Sequence, residues 1–141
     1  MTAGEFSECF PTSVGVRQGC LLSPTLCNIF LENIMREALT PKESPVKLAG
    51  RIITHLQFAD DVDLIDGSAA DQQEQFSSLD STSRRYGMEV SLDKTMCLVS
   101  GPPGFRTQVT VRGTELEQVG EFTYLGSLQT EDGSSAREVK V

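Results

Sequence analysis

The sequence predicts an α+β domain, a mostly antiparallel sheet with helices packed on one face. Three observations carry that expectation: a helix-periodic segment from Ser23 to Leu39, apolar alternation on both sides of the adjacent carboxylates Asp60 and Asp61, and glycine-centred turn signals after Val111 and Tyr124. The chain has 141 residues, 38% of them hydrophobic and 23% charged. That length supports one domain with a real core rather than two, and the composition is that of a soluble globular chain.

The elements follow in order. "GEFSECF" alternates weakly and is expected to form a short strand, with a loop through "PTSVGVRQG". Ser23 stands as helix N-cap with Pro24 at the first helical position, Leu26, Ile29, Phe30, Ile34 and Leu39 recur at mostly helical spacing, and Pro41 closes the segment. "RIITHLQFADDVDLIDG" reads as two strands joined by a tight turn at Ala59-Asp60 or Asp60-Asp61. Residues 71–86 are expected to be helical, with Asp71 as a possible cap, Phe76, Leu79 and Tyr86 on one side, and Gly87 as the C-terminal stop. "MEVSLDKTMCLVSG" resumes strand character, "GPPG" is a turn or loop, "VTVRGTELEQV" is a hairpin about Gly113, and "EFTYLGSLQTEDG" is a further strand pair. The closing "SSAREVKV" begins like a capped helix.

Charge and cysteine usage narrow the function. A net charge of −8 argues against a free-standing nucleic-acid binder, which ordinarily carries a basic stripe. Residues 60–93 are acid-rich, either a solvated face or the acidic floor of a metal site. Cys9, Cys20, Cys27 and Cys97 form no CxxC pair, so reduced, buried thiols in an intracellular protein are expected and zinc is not. No apolar run approaches a membrane span, and no signal peptide opens the chain.

Asp60 and Asp61 need a reason to sit together, since like charges repel. A hairpin turn can present successive carboxylates to one point, and Mg²⁺ commonly takes one or two carboxylates plus substrate phosphates. A pair of such ions serves phosphoryl transfer. Acidic residues are also common in turns because they bond local backbone. A glycosidase pair is a third option, disfavoured because adjacent residues rarely give the separation that chemistry needs.

Four blocks weigh on that choice. "GVRQGCLLSPTLCNIFLENIM", "FADD", "YGMEVSLDKT" and "FTYLGSLQTEDGS" occur in this order over nearly the whole chain. Together they resemble the reverse transcriptases of non-LTR retrotransposons. The resemblance implies part of a polymerase palm, with residues 1–99 as palm core and 105–141 as C-terminal palm hairpins and the start of a thumb. It implies an RNA template, a DNA primer and deoxynucleotides as partners, and two Mg²⁺ ions in the complete domain.

Residue by residue, Asp60 and Asp61 match the family's metal-binding aspartates, and Phe58 its aromatic position before them. Asp63 and Asp66 have no match and are expected to be solvated. Arg17, Gln18 and Gly19 match the loop that meets template and incoming nucleotide. Ser23, Pro24 and Asn28 match the start of the next helix, where Cys27 replaces a common phenylalanine. Gly87 and Lys94 match the block after the second helix; Lys94 would neutralise or protonate departing pyrophosphate, or is simply an exposed lysine. Ser91 stands where asparagine is common. Tyr124, Leu125 and Gly126 match the hairpin that supports the primer end. His55 has no matching role and is expected to be structural.

The family's metal site takes one more aspartate from a strand upstream of "RQG". Residues 1–16 contain none; Glu5 and Glu8 fall in the short strand beside the loop. A basic fingers segment is also not recognisable, which accounts for the acidic balance. The expectation is therefore a fragment of an RNA-directed DNA polymerase, inactive alone. The alternative is a non-catalytic remnant acting as a protein-interaction module, with no partner legible in the sequence.

Overall fold

The structure is a computed structural model that describes residues 15–39, 46–102 and 104–134. The expected first strand with Glu5 and Glu8, the stop at Pro41 and the closing helical start after Ser134 lie outside the described residues.

Helix α1 spans Ser23–Ala38. Its N-cap is Leu22 rather than Ser23, because the backbone turns helical one residue early and the Leu26 amide already bonds the Leu22 carbonyl at 3.0 Å. The Ser23 hydroxyl instead donates to the Arg17 carbonyl at 2.6 Å, so it ties the preceding loop to the helix. Pro24 stays within the first turn, where its missing N–H leaves no bond broken. The buried face is Leu31, Ile34, Met35 and Ala38. Leu26 (51% exposed) and Ile29 (56% exposed) do not join it, because the first half of the helix runs beyond anything that packs on it among the described residues.

Helix α2 spans Ala69–Arg85. Ser68 is its cap: the Ser68 hydroxyl accepts from the Asp71 amide at 3.1 Å and donates to the Asp71 carboxylate at 2.9 Å. Asp71 is thus the third helical residue, bonded to the Ser68 side chain through both its amide and its carboxylate, and not the cap itself. Gly87 (φ +74°) ends the helix as expected, with its amide on Arg84 and the Met88 amide on Ser83, the two bonds of a Schellman motif. Phe76 and Leu79 are buried, whereas Tyr86 is partly exposed and meets Phe30 edge-on at 5.6 Å.

The α+β class holds, with a finer division than one sheet. Five two-stranded pairs are present among the described residues. Antiparallel pairs join β1 (Val46–Leu48) to β2 (Arg51–Ile53), β3 (His55–Phe58) to β4 (Asp61–Leu64), β6 (Thr110–Val111) to β7 (Thr114–Glu115) and β9 (Glu121–Tyr124) to β10 (Ser127–Thr130). β5 (Met96–Leu98) pairs in parallel with β8 (Glu117–Val119). "RIIT" is therefore its own hairpin strand and does not extend the one that carries Phe58. The hairpins about Gly113 and Gly126 form as expected, each turning on two successive positive-φ residues.

Two apolar clusters hold these pieces. Ile34, Met35, Ala38 and Leu79 form one, with Val62 and Leu64 of β4 packed against it. Phe76, Val109, Val111 and Leu116 form the other, and Leu64 packs there as well. Leu64 thus locks β4 to both clusters. Polar clamps reinforce the docking: the Gln73 amide spans both backbone groups of Thr110 at 2.7 Å each, and the Arg112 guanidinium holds the nearly buried Asp80 carboxylate at 2.5–3.2 Å.

Candidate functional site

The β3–β4 hairpin places the acidic pair. Its register puts Phe58 opposite Asp61 and Leu56 opposite Asp63, leaving Ala59 and Asp60 as a two-residue loop. Side chains alternate across a strand, so Leu56, Phe58, Asp61 and Asp63 share one face, and His55, Gln57, Val62 and Leu64 share the other. Val62 and Leu64 pack on the helices, which turns the acidic face away from them. The turn is formed with Ala59 at φ +53°, a left-handed conformation that costs an alanine about 1–2 kcal/mol. The Gln57 side chain braces it by donating to the Ala59 carbonyl at 3.3 Å. Asp60 and Asp61 are both exposed, beside a Phe58 ring that is 62% exposed.

Asp63 departs from its expected solvation. It is half-buried, and burial pushes its carboxyl above the usual carboxylate range. Asp66 is likewise half-buried rather than solvated, and accepts from the fully buried Gln75 amide at 2.6 Å. His55 pairs with the Thr54 hydroxyl at 3.0 Å, a local structural contact.

Arg17, Gln18 and Gly19 form an exposed loop ahead of α1, shaped by Gly19 at φ +82° and closed by the Cys20 amide on the Arg17 carbonyl at 3.2 Å. Lys94 is exposed at the end of a short 3₁₀ turn, Leu92–Lys94, and none of the ion pairs among the described residues joins it to Asp60 or Asp61. Tyr124 closes β9, and Leu125 (56% exposed) and Gly126 form the following turn. The Tyr124 hydroxyl is buried, and burial together with the Asp63 and Asp61 carboxylates raises its pKa.

The cysteines depart from expectation too. Cys20 and Cys27 are exposed and Cys97 is half-buried. A hydrogen bond from the Leu22 backbone, helped by the Ser23 hydroxyl, lowers the Cys20 pKa, whereas burial raises that of Cys97. The thiolate is the nucleophile, so at pH 7 Cys20 is expected to alkylate with iodoacetamide well ahead of Cys97. Peptide mass mapping over time measures both sites, and equal rates would contradict these environments.

Among the described residues no group of three or more His, Cys, Asp or Glu side chains converges on a metal position, and no helix is long and apolar enough to cross a membrane. In comparison with known proteins, the family model described as reverse transcriptase (RNA-dependent DNA polymerase) matches residues 2–128.

Proposed function

The chain belongs to the reverse transcriptase (RNA-dependent DNA polymerase) family, and we propose that it carries the metal-binding hairpin of a non-LTR retrotransposon enzyme. The observation that supports this best is the β3–β4 tip: two successive carboxylates, exposed, on a hairpin whose other face is anchored to both helices.

Residue chemistry fits Mg²⁺ at Asp60 and Asp61. A hard ion takes oxygen ligands, usually one or two carboxylates, and completes its shell with water and phosphate oxygens. When bound, it would supply charge stabilisation for in-line attack by a primer 3′-hydroxyl on the α-phosphate of a deoxynucleotide. Phe58 lies beside the pair and offers an apolar ring face to a sugar or base. Gln18 brings both a donor and an acceptor, Gly19 lets backbone approach closely, and Arg17 adds positive charge for template phosphate. Lys94 would act on the triphosphate, and Tyr124, Leu125 and Gly126 on the primer end. On this reading residues 1–99 are palm core and 105–141 hold the later palm hairpins and the beginning of a thumb.

Among the described residues no third carboxylate joins Asp60 and Asp61 at a metal position, so a polypeptide of these 141 residues is expected to give no primer extension on RNA or DNA template, with Mg²⁺ or Mn²⁺. Two-ion catalysis depends on geometry, and an ion held from one side cannot fix an in-line nucleophile. Incorporation of labelled deoxynucleotide on a primed template is the assay; Asp60-dependent extension by this chain would refute the incomplete site.

A second reading, a non-catalytic interaction module, draws on the exposed apolar residues Leu21, Leu22, Leu26 and Ile29 at the start of α1. Such a patch favours association despite the net charge of −8. The isolated chain is expected to associate as its concentration rises in velocity sedimentation. A monodisperse, cooperatively unfolding monomer at high concentration would contradict this.

A further inference from the structure

The first half of α1 presents an apolar stripe that the described residues leave open. Leu22 already has helical backbone, so at 3.6 residues per turn Leu22, Leu26 and Ile29 line one side of the helix, with Phe30 at the edge of the stripe. Leu31, Ile34, Met35 and Ala38 line the buried side. The stripe residues are 39–66% exposed. From Gln18 to Leu31 the sequence carries no charged side chain, although the whole chain has a net charge of −8. Two copies therefore repel over most of their surface and can meet along this stretch without like-charge contact. Its two ends carry opposite charges, Arg17 before it and Glu32 after it, both exposed and neither in an ion pair among the described residues.

We propose that this stripe pairs with the same stripe of a second copy, the two α1 helices running antiparallel about a two-fold axis near Leu26. In such a closed pair, whatever one copy offers at a contact the other offers in return. The direction follows from charge. A parallel pair sets Arg17 beside Arg17 and Glu32 beside Glu32, whereas an antiparallel pair sets Arg17 of each copy beside Glu32 of the other. The spacing fits as well. The Ser23 hydroxyl holds the Arg17 carbonyl at 2.6 Å, which fixes Arg17 beside the first turn, about 4.5 Å along the axis from Leu26. Glu32 lies about 9 Å from Leu26 in the other direction, a difference that an arginine side chain spans. A stable interface takes about 20–30 residues from each side, so a stripe of this size gives a weak, concentration-dependent dimer. The pairing rests on the tendency to associate described above, and adds to it the partner, the axis and the charged contacts.

Velocity sedimentation of the full chain over a concentration series is the test. The wild type is expected to pass from monomer to dimer and no further. Leu26→Glu, at a side chain that the fold leaves half exposed, is expected to stay monomeric. Ile29→Glu should do the same, and thermal unfolding checks that each variant keeps its fold. Arg17→Glu and Glu32→Arg should each raise the dimer dissociation constant at least about tenfold, since each brings like charges together. The Arg17→Glu/Glu32→Arg double variant restores opposite pairs and should return the constant to within about threefold of the wild type. Dimerisation that survives both Leu26→Glu and Ile29→Glu, or a double variant no tighter than either single one, overturns the pairing and leaves the broader association standing. A wild type monomeric at every concentration overturns both, and its stripe is then left to a different partner or to a segment of the same chain. Open-ended growth past the dimer would contradict the closed two-fold arrangement.

Discussion

Asp60→Ala is expected to abolish DNA synthesis in a longer polypeptide that supplies an aspartate-bearing strand ahead of these residues. The loss should exceed about a thousand-fold, because removing a ligand displaces the ion and with it the charge stabilisation of the transferring phosphoryl group. Lys94→Ala should cost less, about a hundred-fold, as a proton donor or charge partner can be replaced in part by water. The exposed site predicts this contrast without a stability effect: Asp60 sits in solvent at a hairpin tip, and its truncation leaves the packing of Val62 and Leu64 untouched. Labelled deoxynucleotide incorporation on a primed RNA template reads the activity, and thermal unfolding confirms that the fold is kept. Full activity of the Asp60→Ala form would overturn the metal assignment.

The second large effect lies in what holds the hairpin. Ile34 is 2% exposed at the centre of the cluster on which β4 rests. Ile34→Ala is expected to cost about 2–5 kcal/mol, from lost transfer energy and the cavity left behind. For a domain whose total stability is about 5–15 kcal/mol, that is a large share. The lowered denaturation midpoint should be accompanied by a mobile carboxylate tip, since Val62 and Leu64 lose the surface that seats them. A midpoint unchanged by Ile34→Ala would mean that α1 does not support the hairpin as described.

The two expectations differ in how sequence reaches them. The carboxylate hairpin was legible because its signal is local: apolar alternation flanks the acidic pair, and the observed turn at Ala59-Asp60 falls where that pattern allowed. Both helices, the Gly87 stop and the hairpins about Gly113 and Gly126 were legible for the same reason. Cap identity was not, because Ser68 and Asp71 both suit a helix start and bond each other there. Ser23 misled in a related way, its hydroxyl being taken by the Arg17 carbonyl. Two features of the strand arrangement left no trace in local pattern: the parallel β5–β8 ladder and the separation of β2 from β3. The half-burial of Asp63 and Asp66 departs from the expectation that acids without a place in the family pattern are solvated, because local pattern does not show which neighbouring element covers them. The exposed first half of α1 fails the periodicity argument differently. Period identifies an apolar face, but it does not supply the surface that would cover it.

Whether Asp60 and Asp61 hold a divalent ion is tested directly by titrating the ¹⁵N-labelled chain with Mn²⁺. Amide resonances should broaden first at Phe58, Ala59, Asp60 and Asp61 at the β3–β4 tip, and the Asp60→Asn/Asp61→Asn double variant should lose the effect while keeping its other resonances. Broadening centred elsewhere on the acidic surface, or unchanged in the double variant, would contradict the assignment of this hairpin as the metal-binding element.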